Sequence, residues 1–194
     1  MDFWLASSSP RRKELLEQVG YRFNAFSVAV DESPSPAEDP KAYVSRLART
    51  KAIAGAQQKP RIAVLGSDTT VTIDNHILGK PENEDDFQRM MGLLSGRSHH
   101  VHTGVAVCLD ERVESVISTT VVRFGALNDD LVSAYWRSGE PLGKAGGYAV
   151  QGFAAVFVES IEGSYSGVVG LPLYETKQLL SSFGVEPWRV ENKQ

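Results

Sequence analysis

The chain has 194 residues, of which 42% are hydrophobic and 23% are charged. These values are typical of a globular protein and exclude the disordered and collagen-like classes. At roughly 150 residues per domain, this length predicts one domain, with room for two lobes. Twenty Lys and Arg residues against twenty-four Asp and Glu give a net charge of -4. That balance argues against a general binder of nucleic acid or anionic membranes, because such proteins are normally basic.

The location of the protein is indicated by three simple features. The single cysteine, Cys108, excludes an internal disulfide and suits a reducing compartment. The longest apolar runs, such as residues 153–158, are far shorter than the ~18 residues that a membrane helix needs. Residues 1–6 lack the basic flank and long apolar stretch of a signal peptide. We therefore expect a cytoplasmic protein with no membrane partner.

The first half of the chain alternates between predicted strands and helices. In chain order we expect a strand at 3–6, then a helix that begins with a Ser9 cap and Pro10 and ends at Gly20, and then a strand at 23–30. A proline-rich loop at 31–40 leads to a helix from the Asp39 cap to about Gln57. A strand at 61–66, which ends at Ser67 and Asp68, is followed by a hairpin whose strands, 69–73 and 76–78, flank a turn at 74–75.

The second half continues the same alternation. We expect a helix at 84–94, β-rich runs at 99–109 and 113–124, a helix from the Asn128 cap to about Arg137, a glycine-rich loop at 143–147, a strand around 153–161, and a last helix between Pro172 and Gly184. No internal repeat or linker divides the chain. The pattern predicts a single α/β unit.

The sharpest local feature is the segment from Ser7 to Arg12. A strand that stops, a serine-rich turn and a helix N-terminus present free backbone N–H groups and the positive end of a helix dipole, which together favour an anion. Arg11 and Arg12 add donors suited to phosphate oxygens. The alternative is an ordinary capped helix with a solvated basic first turn. In that case each positive charge would oppose the dipole by ~0.3–1 kcal/mol.

Two acids and two lysines are the next candidates. Asp68 follows a buried-type strand, where α/β proteins place ligands, and a carboxylate there could hold Mg²⁺ together with substrate phosphates. It could equally be an aspartate that caps a turn. Glu32, in the proline-rich loop, is a second candidate ligand, although taken alone it is better explained as a solvated acid. For Lys51 and for Lys80, each taken alone, an exposed lysine without a functional role is the favoured interpretation.

The segment 144–152 is a third candidate. Its paired glycines allow close approach of a ligand, Tyr148 offers a stacking face, and Gln151 offers a donor and an acceptor that could read one edge of a base. The alternative, which the residues alone favour, is a β-bulge with a core tyrosine. Residues 163–172 form either a lid or a long turn into the last helix.

Several other functions lack their motifs. The chain has no P-loop, no Gly-x-Gly-x-x-Gly and no Gly-x-Ser-x-Gly segment. His99, His100 and His102 do not suit a zinc site, because strand alternation sends His99 to the face opposite the other two. Cys108, in an apolar strand, is explained as a small core residue.

Taken together, these segments resemble the motifs of the Maf family of nucleoside triphosphate pyrophosphatases, from residue 5 to about residue 180. They are Leu-Ala-Ser-x-Ser-Pro-Arg-Arg at 5–12, Asp-Glu at 31–32, Leu-Ala-x-x-Lys-Ala at 47–52, Gly-Ser-Asp-Thr at 66–69, Gly-Lys-Pro at 79–81, Leu-Ser-Gly-x-x-His at 94–99, Lys-Ala-Gly-x-Tyr-x-x-Gln-Gly at 144–152 and Val-x-Gly-Leu-Pro at 168–172. One such motif is weak evidence, whereas eight in order are strong.

The resemblance implies a fold and a substrate. The fold would be a single domain, 1–194, with two lobes around a mixed, twisted β-sheet, flanking helices and an active-site cleft between the lobes. The dTTP/UTP branch of the family has the pattern that this chain shows at Arg12, Thr69 and Gln151. The 7-methyl-GTP branch has Ser-Pro-Trp-Arg, Asp-Gln and Ser-Glu-Gly there, and the chain matches none of them. Ser67, often Ala in relatives, is a minor departure.

The resemblance also implies roles for the candidate residues. Asp68 would be the proton acceptor, and Glu32 and Asp68 would hold Mg²⁺ or Mn²⁺. Glu32, Lys51 and Lys80 would also be catalytic, and the two lysines would neutralise the phosphates together with Arg11 and Arg12. Ser7 and Ser9 would bind the same end of the substrate, and Thr69 and Gln151, with Arg12, would read the pyrimidine oxygens. The expected activity is hydrolysis of dTTP, UTP and modified pyrimidine triphosphates to the monophosphate and pyrophosphate, a housecleaning role with a link to cell-division arrest. The alternative is a non-catalytic nucleotide sensor or cell-division interaction protein. The only other partner expected is a second copy, as a homodimer.

Overall fold

A seven-stranded sheet runs through the molecule, whose computed structural model describes residues 2–188. The strands are β1 (Phe3–Ala6), β2 (Phe23–Phe26), β3 (Val64–Ile73), β4 (His76–Leu78), β5 (Ser98–Leu109), β6 (Arg112–Phe124) and β7 (Val158–Glu162). Their order across the sheet is β2-β1-β3-β5-β6-β7, with β4 beside β3. The β1 pairings with β2 and β3 are parallel, and the other pairings are antiparallel. The predicted α/β fold with a mixed sheet is therefore confirmed. Residue 1 and residues 189–194 of the predicted domain lie outside the described residues.

Six helices flank this sheet in the described range. They are α1 (Pro10–Gln18), α2 (Pro40–Gln58), α3 (Glu84–Leu94), α4 (Asp129–Arg137), α5 (Tyr165–Val169) and α6 (Leu173–Ser182). Asp39, Asn83 and Asn128 cap α2, α3 and α4 by accepting bonds from backbone N–H groups of the first turn. None of the described helices is long and apolar enough to cross a lipid bilayer.

The two faces of the sheet pack against different helices. Along β3, Leu65, Val71 and Ile73 belong to the larger hydrophobic core, whereas Val64 belongs to a smaller one. The smaller core is made with the alanines of α2, and the larger one with residues of the other helices. Because successive side chains of a strand alternate between faces, even-numbered residues of β3 turn toward α2 and odd-numbered residues toward the other helices.

Three predicted elements differ from those observed. The strand predicted at 23–30 ends at Phe26, because its parallel partner β1 ends at Ala6. The strand predicted around 153–161 begins as a 3-10 helix, Phe153–Phe157, and becomes β7 only at Val158. The strand predicted to end at Asp68 instead continues to Ile73, so Asp68 lies in the middle of β3.

That continuous strand leaves a gap in the sheet. β1 pairs with β3 at Val64 and Leu65, and β4 pairs with it from Val71 onward. Within the described part of the chain, residues 66–70 of β3 therefore have a neighbouring strand, β5, on one edge alone. Both faces of β3 can be reached through this opening, which lies beside the turn between β1 and α1.

Candidate active site

A cavity of about 550 Å³ lies at the gap beside β3. All ten residues predicted for the site line it: Ser7, Ser9, Arg11, Arg12, Glu32, Lys51, Asp68, Thr69, Lys80 and Gln151. These residues come from six separate segments of the chain. The structure therefore brings the predicted phosphate-binding turn, the carboxylates and the predicted base-reading segment to one place.

On the α2 side of β3, two carboxylates share one ammonium group. Lys51 Nζ lies 2.6 Å from Glu32 Oε1 and 2.7 Å from Asp68 Oδ1, and Lys80 Nζ lies 3.6 Å from Glu32 Oε2. The Lys51 and Asp68 side chains are only 10% and 12% exposed. Burial opposes ionisation of Glu32 most strongly, yet the contacts with Lys51 and Lys80 together hold the pKa of its carboxyl below its usual value. The interpretation of Lys51 as an exposed lysine is therefore wrong.

The close approach of α2 to the sheet brings Lys51 to Asp68. A Cβ atom built on Gly66 would clash with Ala48 O and lie 2.6 Å from Ala52 N, and both of these atoms belong to the backbone of α2. On the adjacent strand, a Cβ atom on Gly104 would fall on Val44 O of the same helix. These two glycines let the helix backbone rest directly on the sheet, which is why a lysine of α2 reaches a carboxylate of β3.

The proline-rich loop that carries Glu32 is tied to α2 by several contacts. Tyr43 Oη donates to Glu32 O at 2.8 Å, and Arg46 Nη2 donates to Ser33 O at 3.1 Å. Arg46 also forms an ion pair with Glu38 at 2.7 Å. These bonds hold the loop over the cavity, so Glu32 is not simply a solvated acid. Tyr43 and Arg46 were not predicted for the site, because neither belongs to a motif.

On the opposite face of β3, the two arginines of α1 bind the end of α5. Arg12 Nε donates to Gly170 O at 2.8 Å, and Arg11 Nε donates to Val169 O at 3.4 Å. Burial lowers the pKa of the Arg12 guanidinium, against the opposing effect of Asp68. A partly desolvated guanidinium favours an anionic partner. Ser9 lies at the predicted N-cap position of α1, but its side chain makes no capping bond, so that part of the prediction is wrong.

Residues 163–172, predicted as a lid or a long turn, contain α5 and are fixed to the sheet. Ser67 Oγ donates to Gly170 O at 3.1 Å, and Thr103 Oγ1 donates to Gly167 O at 2.8 Å. The segment is thus a wall of the cavity, held by side chains of β3 and β5.

A chain of hydrogen bonds fixes the hydroxyl of Thr69. Thr103 gives its only hydroxyl proton to Gly167 O, so in its 2.9 Å contact with Thr69 Oγ1 it must accept. Thr69 therefore donates to Thr103 and accepts from Arg12 Nη2, which lies 3.3 Å away. Thr103 was missed because it belongs to none of the motifs. It pairs with Thr69 in the strand register, which the sequence alone does not show.

The predicted base-reading segment has one buried and one exposed side chain. Tyr148 packs edge-on against His99 and Phe124, and its hydroxyl lies 2.8 Å from His99 Nε2, so the core-tyrosine alternative is correct. The β-bulge in that alternative is wrong, because Ala145–Gly147 forms a 3-10 turn. Gln151 is exposed at the cavity.

Known proteins of similar sequence cover almost the whole chain. The family model described as "Maf-like protein" matches residues 2–183. The chain is 53% identical over 184 residues to a dTTP/UTP pyrophosphatase of Pseudoalteromonas translucida, covering 93% of this chain and 96% of the relative. It is 51% identical over 180 residues to a dTTP/UTP pyrophosphatase of Vibrio cholerae, covering 92% and 96%.

A third relative and one solved structure complete the comparison. A dTTP/UTP pyrophosphatase of Saccharophagus degradans is 48% identical over 192 residues, covering 97% of this chain and 91% of the relative. The Staphylococcus aureus Ham1 protein matches 64% of this chain and 72% of its own at 11% identity and a TM-score of 0.48, a likeness too weak to add to the assignment. With the family model spanning nearly all of the described residues, this chain belongs to the Maf family.

Proposed function

We propose that this protein hydrolyses dTTP and UTP to the monophosphate and pyrophosphate. The observation that carries the proposal is the meeting of three groups in one cavity: the buried Asp68 with its lysine, the cationic turn at Arg11 and Arg12, and the exposed amide of Gln151. The names of the relatives with about 50% identity support the same activity. Each of the three groups matches one part of a nucleoside triphosphate.

Asp68 is the proposed proton acceptor. A water molecule beside its carboxylate would attack the α-phosphorus and give its proton to Asp68. The bond between the α-phosphorus and the α–β bridging oxygen would break, and pyrophosphate would leave with that oxygen. The Lys51 ammonium fixes the orientation of the Asp68 carboxylate, because it holds one carboxylate oxygen at 2.7 Å.

The cations of the cavity would neutralise the pyrophosphate. Arg11 and Arg12 present planar guanidinium groups beside the N-terminus of α1, whose free N–H groups also favour an anion. Lys80, whose side chain is 63% exposed, is free to turn toward the triphosphate. Fixed positive charge at developing negative charge is the main way in which proteins accelerate phosphoryl transfer. Ser7 and Ser9 line the same end of the cavity.

The donor set also fits a divalent metal ion. Oxygen atoms of Glu32 and Asp68 converge on the single Lys51 Nζ, so they lie close enough to share one cation. Two carboxylates completed by phosphate oxygens are a typical magnesium site. We propose that Glu32 and Asp68 would hold Mg²⁺ or Mn²⁺ with the substrate. When bound, the metal would neutralise phosphate charge and lower the pKa of water.

The pyrimidine preference would come from Arg12, Thr69 and Gln151. Thr69 Oγ1 already donates to Thr103, so it can offer a ligand only an acceptor. Gln151 offers both a donor and an acceptor. Uracil and thymine carry one ring N–H donor between two carbonyl acceptors, and this edge suits such a set. Modified pyrimidine triphosphates that keep this edge are proposed as substrates too.

Product analysis tests the proposal. The purified protein is incubated with Mg²⁺ and a panel of common and modified triphosphates, and pyrophosphate is measured separately from orthophosphate. We expect pyrophosphate from dTTP and UTP, and none with EDTA. Asp68→Asn should lower kcat by about 10²–10⁴-fold. Asp74→Asn is the matched control, since Asp74 pairs with Arg97 at the far end of β3 and does not line the cavity.

The alternative function gives a different result. A nucleotide sensor or cell-division interaction protein would bind dTTP without releasing pyrophosphate. Wild type and Asp68→Asn would then both show no pyrophosphate release. The homodimer, the cytoplasmic location and the link to cell division remain predictions from the sequence.

A further inference from the structure

We infer that Glu140 and Tyr135, which lie behind the cavity wall, position Gln151 and thereby set nucleobase preference. Neither residue lines the cavity. The inference rests on the proposed function, in which Gln151 reads the base.

The two side chains anchor the backbone on both sides of Gln151. Before it, Ala149 N donates to Tyr135 Oη at 3.2 Å. After it, Phe153 N donates to Glu140 Oε2 at 3.0 Å. Tyr135 Oη in turn donates to Glu140 Oε1 at 2.8 Å, which joins the two anchors into one network. The exposed residue between them is held through its neighbours.

The local sequence leaves room for this network. A Cβ atom built on Gly152 would fall on the Glu140 carboxylate, so only glycine lets the carboxylate reach the start of the 3-10 helix Phe153–Phe157. The carboxylate thereby caps that helix, and Ala154 N adds a longer bond at 3.4 Å. This cap also explains why a 3-10 helix replaces the strand predicted there.

The support beneath the network is rigid. The Tyr135 ring packs against Phe87 and Phe157, and Tyr135 itself is 5% exposed. A side chain that is held in place by packed aromatic rings fixes a loop more firmly than a side chain exposed to solvent. Gln151 therefore meets the substrate on a loop whose shape is fixed before binding, which lowers the entropic cost of recognition.

Two variants remove the network while keeping the side-chain shape. Tyr135→Phe deletes one hydroxyl and keeps the ring packing. Glu140→Gln keeps the size but replaces one acceptor oxygen by an NH₂ donor, so the side chain can no longer accept from both Tyr135 Oη and Phe153 N. In each variant we expect KM for dTTP to rise by about 3- to 10-fold, the usual effect of one hydrogen bond, with kcat within about 2-fold of wild type.

The preference for dTTP over dCTP, measured as the ratio of the kcat/KM values, should fall by a similar factor of about 3- to 10-fold. Because the two variants break one shared network, the double variant should lose less than the product of the single losses. Val132→Ala on the same helix is the matched control. It removes buried packing without touching the network, so it should lower stability and leave KM and the preference unchanged.

The outcome separates this inference from the proposed function. If wild type releases no pyrophosphate from dTTP, the proposed function fails. Calorimetric binding of dTTP in EDTA then tests the loop alone, and equal affinities of wild type and Tyr135→Phe would overturn the inference. If wild type is active, unchanged KM and preference in Tyr135→Phe would overturn it. So would a loss confined to kcat, because that would connect the network to the chemistry instead of the base.

Discussion

The backbone of α2 rests on Gly66, so adding one methyl group at this position should move Lys51 away from Asp68. The Cβ atom of Gly66→Ala would lie 2.6 Å from Ala52 N, whereas an ordinary contact is 3.4 Å or more. The neighbouring atoms belong to a helix backbone and cannot rotate away. The helix must therefore shift by about 1 Å to restore normal contact.

Two measurable effects follow from that shift. Overpacking of this kind costs about 1–3 kcal/mol of unfolding free energy. A misplacement of about 1 Å near a reacting group can reduce turnover by about 10²-fold. We therefore expect Gly66→Ala to lose about 10²-fold in kcat for pyrophosphate release from dTTP. KM should change little, since Arg12 and Thr69, which are proposed to bind the base, lie on the other face of β3.

The assay combines urea unfolding with steady-state kinetics at a temperature where the variant is folded. Gly92→Ala is the matched control: its Cβ atom has no neighbour within 4 Å, and it lies in the exposed part of α3. It should keep wild-type kinetics and gain up to ~1 kcal/mol from helix propensity. Should Gly66→Ala not fold, Gly104→Ala presses on the same helix through Val44. A folded variant of either kind with kcat within 2-fold of wild type would refute the reasoning.

Three further changes test other parts of the structure. Lys51→Met removes the ammonium that lowers the pKa of Glu32. The acidic limb of the kcat/KM profile against pH should therefore move to higher pH. An acidic limb at the wild-type pH would contradict the role of Lys51. Thr103→Val leaves Gly167 O without its donor, so it should lower the free energy of unfolding in urea by about 1–2 kcal/mol. It should also reduce the preference for dTTP over dCTP. An unaltered preference would argue against a fixed Thr69 hydroxyl. Burial lowers the pKa of His99 from 6.5 to about 4. As the pH falls through that interval, the unfolded chain binds a proton more readily than the folded chain, so the folded state loses stability. Between pH 7 and pH 4 His99→Gln should lose about 3 kcal/mol less unfolding free energy than wild type, and parallel losses in the two proteins would show that His99 does not carry the effect.

The local elements and the candidate site residues were available from the sequence. Asp39-Pro40, Asn83 and Asn128 marked helix starts that the structure shows, because caps and helix-opening prolines act within one turn of chain. Strand alternation correctly separated His99 from His100 and His102, whose rings stack together. The ordered motifs gave the family and ten candidate site residues, all of which line the cavity.

The arrangement of those residues depended on tertiary structure. Sequence periodicity could not reveal that β1 ends beside Leu65 and β4 begins beside Val71, and only this gap lets Asp68 and Thr69, on opposite faces of one strand, line a single cavity. Nor could it show that Lys51 lies between Glu32 and Asp68, since that contact needs two strand glycines under a helix. Pairing between distant segments is decided by how whole faces pack, whereas caps, turns and alternation are decided within a few residues.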